Sequence, residues 1–357
     1  MSESNINDRG GAVRSGEELD AAAVTAWLRA QSLTLDGAPE VTQFSGGASN
    51  WTYRLRYTNA DLILRRPPAG TKAKSAHDMG REYRVQAALK PVFPQVPEML
   101  AYCQDTSVIG DEFYVMQRIE GVIPRAHMPR GVELSPQAAR QLCLNVIDKL
   151  VELHSVDVAA AGLQKLGKGS GYCRRQIDGW SERFAKAATW NVWSARPVVN
   201  WLKAKVPDDV ATCVIHGDFR LDNVVLDRDD PTRVIGVLDW EMATLGDPLM
   251  DLGNSLAYWV QADDNFMLRM LRRQPTWLPG MLTRREVVDY YCQRMQLKPA
   301  SFAFYEVYGL FRLSVIMQQI YYRYHHRQTR NPAFKNFWAM ANYLNLRGLR
   351  IIRENSR

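Results

Sequence analysis

The stretch at residues 214–251, VIHGDFRLDNVVLDRDDPTRVIGVLDWEMATLGDPLMD, constrains the fold more than any other part of the chain. Three short apolar runs organise it. Cys213–Ile215 leads into His216-Gly217-Asp218, Asn223–Leu226 leads to a turn at Asp227–Pro231, and Val234–Leu238 stops on Asp239. Apolar runs this short, bounded by Gly, Asp and Pro, read as strands. A strand that ends on an acid holds a carboxylate at the rim of a site. Two strands ending near one place would bring Asp218, Asn223 and Asp239 together.

The chemistry that suits this trio is phosphoryl transfer. One carboxylate positions an acceptor hydroxyl and takes its proton. An amide oxygen and a second carboxylate are hard ligands for Mg2+, which bridges nucleotide phosphates. Asn223 follows Asp218 by five residues and Asp239 follows it by twenty-one. The order HGD-x-x-x-x-N…D-W resembles the catalytic loop and metal-binding acid of the aminoglycoside phosphotransferase family, which includes choline-kinase-like enzymes. HGDFRLDNVVLD and VLDWEMATLGDPLMDLG resemble most the branch of kinase-like domains fused to acyl-CoA dehydrogenases. The alternative, a buried turn with satisfied polar groups, would suit an isolated HGD better than this long ordered string.

The resemblance implies an α+β, bilobal protein-kinase-like fold, with a small antiparallel-sheet N-lobe and a mostly helical C-lobe. The boundaries expected are a flexible tail over 1–19, the N-lobe over 20–120 and the C-lobe over 121–357. In the N-lobe, 17–33 has the spacing of an amphipathic helix, and strand-like Val41–Phe44 and Trp51–Tyr57 flank Ser45-Gly46-Gly47-Ala48-Ser49-Asn50. A strand, a loop of small residues and a strand let backbone N–H groups approach phosphate; taken alone, Gly-Gly is equally a hairpin turn. The resemblance makes Gly46, Gly47, Ser49 and Asn50 nucleotide contacts.

Asp61–Arg66 is the third strand, stopped by Pro67-Pro68. Kinase-like folds carry a phosphate-binding Lys there, and this chain places Arg65 at that position. Arg keeps its charge and grips phosphate with two nitrogens, but it is not equivalent to Lys. Arg66, on the opposite face, is expected in solvent. His77–Leu89 reads as a helix whose Glu82 would pair with Arg65; a solvated helix-face acid is the plain alternative. Val96–Ala101 and Phe113–Ile119 read as the last two strands. Met116–Ile119 would be the hinge, with Gln117 and Ile119 meeting the nucleobase through main-chain groups.

Beyond the hinge, Ser135–His154 repeats apolar residues every three or four positions behind a Ser-Pro start signal. His154 is expected as a core residue under the catalytic loop. Gly167, Gly169 and Gly171 lack the spacing of a phosphate loop. Trp180, Trp190, Trp193 and Trp201 either pack a helical pair or wall a cleft. Asp218 is expected as the catalytic base, with Arg220 either on the transferred phosphoryl or paired with Asp222. Asn223 and Asp239 are the expected metal ligands, and Asp251 is expected to brace the loop. Glu241 and Asp247 could line the cleft. The spans 284–296, 302–325 and 334–352 read as helices.

The cysteines number five, an odd count, and lack metal-ligand spacing, as in a reduced cytoplasmic protein. No apolar run approaches a membrane span, and the polar start of the chain lacks the core of a secretory signal. The formal net charge of +7 is concentrated after Arg284. No nucleic-acid module accompanies it. ATP, or GTP, and Mg2+ are the implied cofactors, and the partner is a small hydroxylated substrate, with no nucleic acid and no membrane. Aminoglycosides are polycations and want an acidic pocket. The basic C-terminal region suits a neutral or anionic acceptor such as a hydroxyacyl compound. An antibiotic kinase and a non-catalytic nucleotide-binding module remain the alternatives, and the sequence leaves the oligomeric state open.

Overall fold

The computed structural model describes residues 10–44, 50–68 and 78–355. Its strands are β1 (Glu40–Gln43), β2 (Trp51–Arg56), β3 (Asp61–Arg66), β4 (Met99–Cys103), β5 (Phe113–Gln117), β6 (Cys213–Ile215), β7 (Val224–Leu226), β8 (Val234–Val237) and β9 (Thr244–Gly246). Its helices are α1 (Ala21–Ala30), α2 (Met79–Leu89), α3 (Pro136–His154), α4 (Tyr172–Lys186), α5 (Arg196–Ala204), α6 (Pro248–Ala257), α7 (Phe266–Met270), α8 (Arg284–Arg294), α9 (Ala303–His325) and α10 (Phe337–Glu354). The chain forms two compact units. The first takes residues 1–133, 160–163 and 222–243; the second takes 134–159, 164–221 and 244–357.

The first unit is built on an antiparallel sheet of order β1-β2-β3-β5-β4. Alternation along β3 explains its layering. Leu62 and Leu64 join a core with Val24 and Leu28 of α1, while Ile63 joins Met79, Tyr114 and Met116 on the α2 side. Each such aliphatic side chain, fully buried, contributes roughly 1.5–3 kcal/mol. Because the sheet is covered on both faces, the expectation for Arg66 fails. Arg66 is buried, pairs with Asp111 at 3.3 Å and lies 5.1 Å over the Trp51 ring. Within the segment expected as a tail, Gly11 exchanges backbone hydrogen bonds with Gln43 at the sheet edge. The β7–β8 hairpin belongs to this unit, and Val122 bridges to Leu226 in it.

The second unit is helical apart from β6 and β9, which pair antiparallel. Ser135 caps α3 as its sequence signals, accepting the Ala138 N–H at 3.1 Å, with Pro136 in the first turn. The three C-terminal helices lie within a few residues of their expected spans. α6 and α9 cross closely because Gly253 and Gly309 face each other. A Cβ at Gly253 would strike the Tyr305 carbonyl, and one at Gly309 would strike the Gly253 carbonyl. Among the described residues, no helix is long and apolar enough to cross a membrane.

Candidate active site

In the first unit, β3 carries Arg65 on the α2 side of the sheet. Its Nη1 lies 2.8 Å from Glu82 Oε1, and its Nη2 lies 3.3 Å from Asp239 and 3.8 Å from Glu241. The expected Arg65–Glu82 pair is therefore formed. Tyr114, which sequence reasoning passed over, donates its hydroxyl to Glu82 at 2.8 Å. Burial works against the Arg65 charge, but Glu82, then Tyr114, Asp239 and Glu241, outweigh it and hold its pKa well above the usual value. Burial likewise raises the Glu82 carboxyl, with Arg65 opposing that rise. At 2.8 Å each group supplies part of the solvation that burial takes from the other.

Asp239 follows β8 and sits in the left-handed region, at φ 69° and ψ 60°. A non-glycine residue is held there only where its surroundings fix it. The turn of 3-10 helix that follows, Trp240–Met242, buries Trp240 against Phe93 and ties its indole N–H to the Val237 carbonyl at 2.8 Å. Arg81 of α2 donates to the Glu241 and Ala243 carbonyls from the other side. Asn50 is buried and donates to Glu241 at 3.2 Å. Gly46, Gly47 and Ser49 lie outside the described residues.

One cavity of the first unit gathers five of the seven expected nucleotide and metal residues that are described. Arg65, Gln117, Ile119, Asn223 and Asp239 all line it, with Ile63, Met116 and Leu238 as apolar wall. Leu238 donates its N–H to the Asn223 carbonyl at 2.8 Å, which fixes the two hairpin ends together. In the expected hinge, the Gln117 N–H is taken by the Glu98 carbonyl and the Arg118 N–H by the Asp61 carbonyl. The Ile119 N–H makes no hydrogen bond among the described residues.

The second unit holds the loop with Asp218 and Arg220. Arg220 pairs with Asp218 at 3.3 Å and lies 4.5 Å over the Tyr258 ring. The backbone of the loop is braced by Asp251, which accepts the His216 and Gly217 N–H groups, each at 2.9 Å. Gly217 adopts φ 81°, which suits glycine. His154 is buried between the Tyr291 hydroxyl at 2.5 Å and Asp251 at 3.2 Å, a core position as expected. Burial works against the Asp251 charge, but His154, His216 and the loop N–H outweigh it and hold the carboxyl below its usual range. Arg312 of α9 was not foreseen. It is buried, donates to the Gly217 carbonyl at 2.9 Å and lies 5.3 Å over the Trp180 ring. The only signal for it was a cation within the apolar, aromatic middle of the helix. Asp247 is structural, accepting the Met250 and Val210 N–H groups at 2.9 and 2.7 Å. The tryptophans divide: Trp180 is buried and Trp201 stacks on Phe304, whereas Trp190 and Trp193 are exposed.

A sequence model of the phosphotransferase enzyme family matches residues 40–287. The chain belongs to this family. It is 36% identical over 289 residues to acyl-CoA dehydrogenase family member 10 of Mus musculus, across 80% of this chain and 27% of that protein. It is 37% identical over 294 residues to family member 11 of Rattus norvegicus, across 80% of this chain and 36% of that protein. The chain thus spans about a quarter to about a third of the length of these relatives. A crystal structure from Ralstonia eutropha, provisionally named an aminoglycoside phosphotransferase, aligns with a TM-score of 0.80 at 28% identity, covering 94% of this chain and 99% of that one. Choline kinase from Cryptosporidium parvum, with a TM-score of 0.59 at 12% identity over 88% of this chain and 89% of that one, shares the fold. The fold is the α+β protein-kinase-like one that the sequence implied.

Membership supports small-molecule phosphotransferase chemistry, and kinases of the family use ATP or GTP with Mg2+. The residues present fit such a group. Asn223 and Asp239 put an amide and a carboxylate on the wall of one cavity, the oxygen donors that Mg2+ prefers. Arg65 Nε is buried and makes no hydrogen bond among the described residues.

Proposed function

We propose that the chain is a nucleotide-dependent kinase that moves a γ-phosphoryl group to a hydroxyl of a small molecule. The observation that carries this reading is the convergence of Arg65, Glu82 and Asp239 beside a cavity also lined by Asn223 and Ile119. In this reading, the Ile119 N–H meets the nucleobase, and Gly46, Gly47, Ser49, Asn50 and Gln117 complete the nucleotide contacts. Arg65 neutralises phosphate charge and Glu82 aims it. Asn223 and Asp239 hold Mg2+, which when bound shields the phosphates and stabilises charge on the transferred group. Asp218 orients the acceptor hydroxyl and takes its proton. The hydroxyl oxygen bonds to the γ-phosphorus, the bridging bond of the triphosphate breaks, and the nucleoside diphosphate leaves. Arg220, paired with Asp218, offers positive charge to the phosphoryl.

The acceptor is a neutral or anionic hydroxylated metabolite, such as a hydroxyacyl compound. Two things support this: the basic balance after Arg284 and the acyl-CoA dehydrogenase names of the relatives. The names of the solved neighbours favour an aminoglycoside, but the basic balance of the C-terminal region does not match a polycation. The small-molecule setting also implies a cytoplasmic protein without nucleic-acid partners. The test is nucleotide turnover, with ATP and with GTP, across a panel of hydroxy acids, neutral polyols and aminoglycosides. Stimulation by a hydroxy acid or polyol, lost in Asp218→Asn, is expected. Stimulation by aminoglycosides alone would overturn the acceptor, and turnover indifferent to Asp218→Asn would overturn the mechanism.

A further inference from the structure

The second unit contains a cavity of about 270 Å3 that the chemistry above does not use. Its floor is apolar: Leu313 and Met317, one turn apart on α9, with Met270 and Phe337 beside them. Its polar wall is Tyr258, Arg272 and Arg273. Tyr258 connects the cavity to the reacting end of the unit, because its ring carries Arg220 at 4.5 Å and Arg220 pairs with Asp218. The helix that supplies the floor also braces the catalytic loop, through Arg312 and the Gly217 carbonyl.

The two arginines are the informative part. Arg272 lies 4.6 Å over the Trp277 ring, and its Nε is buried without a hydrogen bond among the described residues. Neither Arg272 nor Arg273 forms an ion pair among the described residues. Most other arginines that approach the interior here have a carboxylate: Arg54 has Asp61, Arg65 has Glu82, Arg284 has Asp264. A half-buried cation, Arg272, and an exposed one, Arg273, both without a carboxylate beside an apolar floor, form a complement to a molecule with the opposite arrangement.

We propose that this cavity is the acceptor subsite and that the acceptor is a hydroxylated amphiphile with an anionic group. The alkyl or acyl body packs on Leu313, Met317 and Phe337. The carboxylate or phosphate meets Arg272 and Arg273. The hydroxyl is presented toward Asp218, where its oxygen bonds to the γ-phosphorus and its proton passes to the carboxylate as the nucleoside diphosphate leaves. This inference rests on the phosphotransferase reading and narrows its acceptor to one class.

The test uses probes without a hydroxyl: octanoate and octyl phosphate, against octanol and octyltrimethylammonium, in thermal shift and calorimetry on the full chain. The anions are expected to bind, to inhibit turnover of a hydroxylated acceptor competitively, and to weaken as the chain shortens by up to roughly fourfold per methylene. Octanol is expected to bind at least tenfold more weakly and the ammonium not at all. Arg273→Glu, an exposed position that should fold, and Arg272→Gln are each expected to cost the anions tenfold or more while leaving the nucleotide-dependent shift intact. Octanol binding as tightly as octanoate, or anion binding unchanged in both variants, would overturn the proposal. The nucleotide shift is read in the same samples. If it is absent, the phosphotransferase reading fails and the acceptor role with it; if it is present and the anions are not discriminated, the cavity proposal alone fails.

Discussion

The catalytic loop of the second unit and the Arg65 cluster of the first are held in place by different physics. Around Asp218, the backbone is locked. Asp251 takes two consecutive N–H groups, Arg312 takes the Gly217 carbonyl, and His154 and Tyr291 fix Asp251 from behind. Around Arg65, the holding is between side-chain charges, and Asp239 remains about one-third exposed at 35%. A locked backbone keeps its shape whatever the ligand. A charge cluster around one cation can redistribute when phosphate and metal arrive. On the proposed function, the loop assigned to aim a hydroxyl is the one with a braced backbone, and the residues assigned to a highly charged ligand are the ones held by side-chain charge.

That contrast can be broken at several points. The largest effect is expected from Asp218→Asn, which leaves every brace of the loop in place: initial-rate kinetics should show turnover reduced about 10²–10⁴-fold with nucleotide affinity unchanged. Asp251→Ala attacks the brace itself. It leaves two buried N–H groups and an imidazole without their acceptor, and denaturant titration should find a loss of about 3–5 kcal/mol. Arg65→Ala should cost a similar or slightly smaller amount, because it strands buried Glu82. Arg65→Lys should recover stability to within about 1.5 kcal/mol, since an ammonium can still answer one carboxylate. A cluster held by charge tolerates that exchange, whereas no residue substitutes for Asp251.

The two acids of α6 sharpen the comparison through pH. Burial, against its own helix-cap hydrogen bonds and with Asp209 nearby, raises Asp247 to about 6. Its contribution is therefore full below the ordinary carboxylate value and is lost as pH rises through about 6. Asp251 is depressed, so its contribution is full above the ordinary value of about 3.9 and is lost as pH falls toward its folded value. Melting temperature followed against pH should accordingly lose a declining limb between about pH 4 and 6 in Asp247→Asn, while the acid-side collapse remains. The smallest effect is expected from Ser135→Ala, about 1 kcal/mol for the lost α3 cap.

Much of this was legible in the residues themselves. The five strands, the Ser135 cap and the core place of His154 followed from period and stop signals, while the Arg65–Glu82 pair and the bracing role of Asp251 followed from the resemblance to kinase-like folds. Arg66 was misjudged because alternation tells which face a side chain takes, not whether that face is covered; here α1 covers it. The strand β9 escaped notice because three residues carry no period, and only its partner β6 defines it. Tyr114, Arg312 and Glu241 act through contacts between elements far apart in sequence, which local pattern does not encode. The Arg272–Arg273 cavity is the extreme case, since its floor comes from α7, α9 and α10 and its polar wall from the segments that follow α6 and α7.

The most direct test of the kinase assignment is nucleotide binding by thermal shift, with ATP or GTP, with and without Mg2+, on the wild type and Asp239→Ala. A ligand that binds only the folded state raises the melting temperature. A Mg2+-dependent rise in the wild type that Asp239→Ala loses is expected. No rise with either nucleotide, or an equal rise in Asp239→Ala, would contradict the assignment of Asp239 and of the cavity around it.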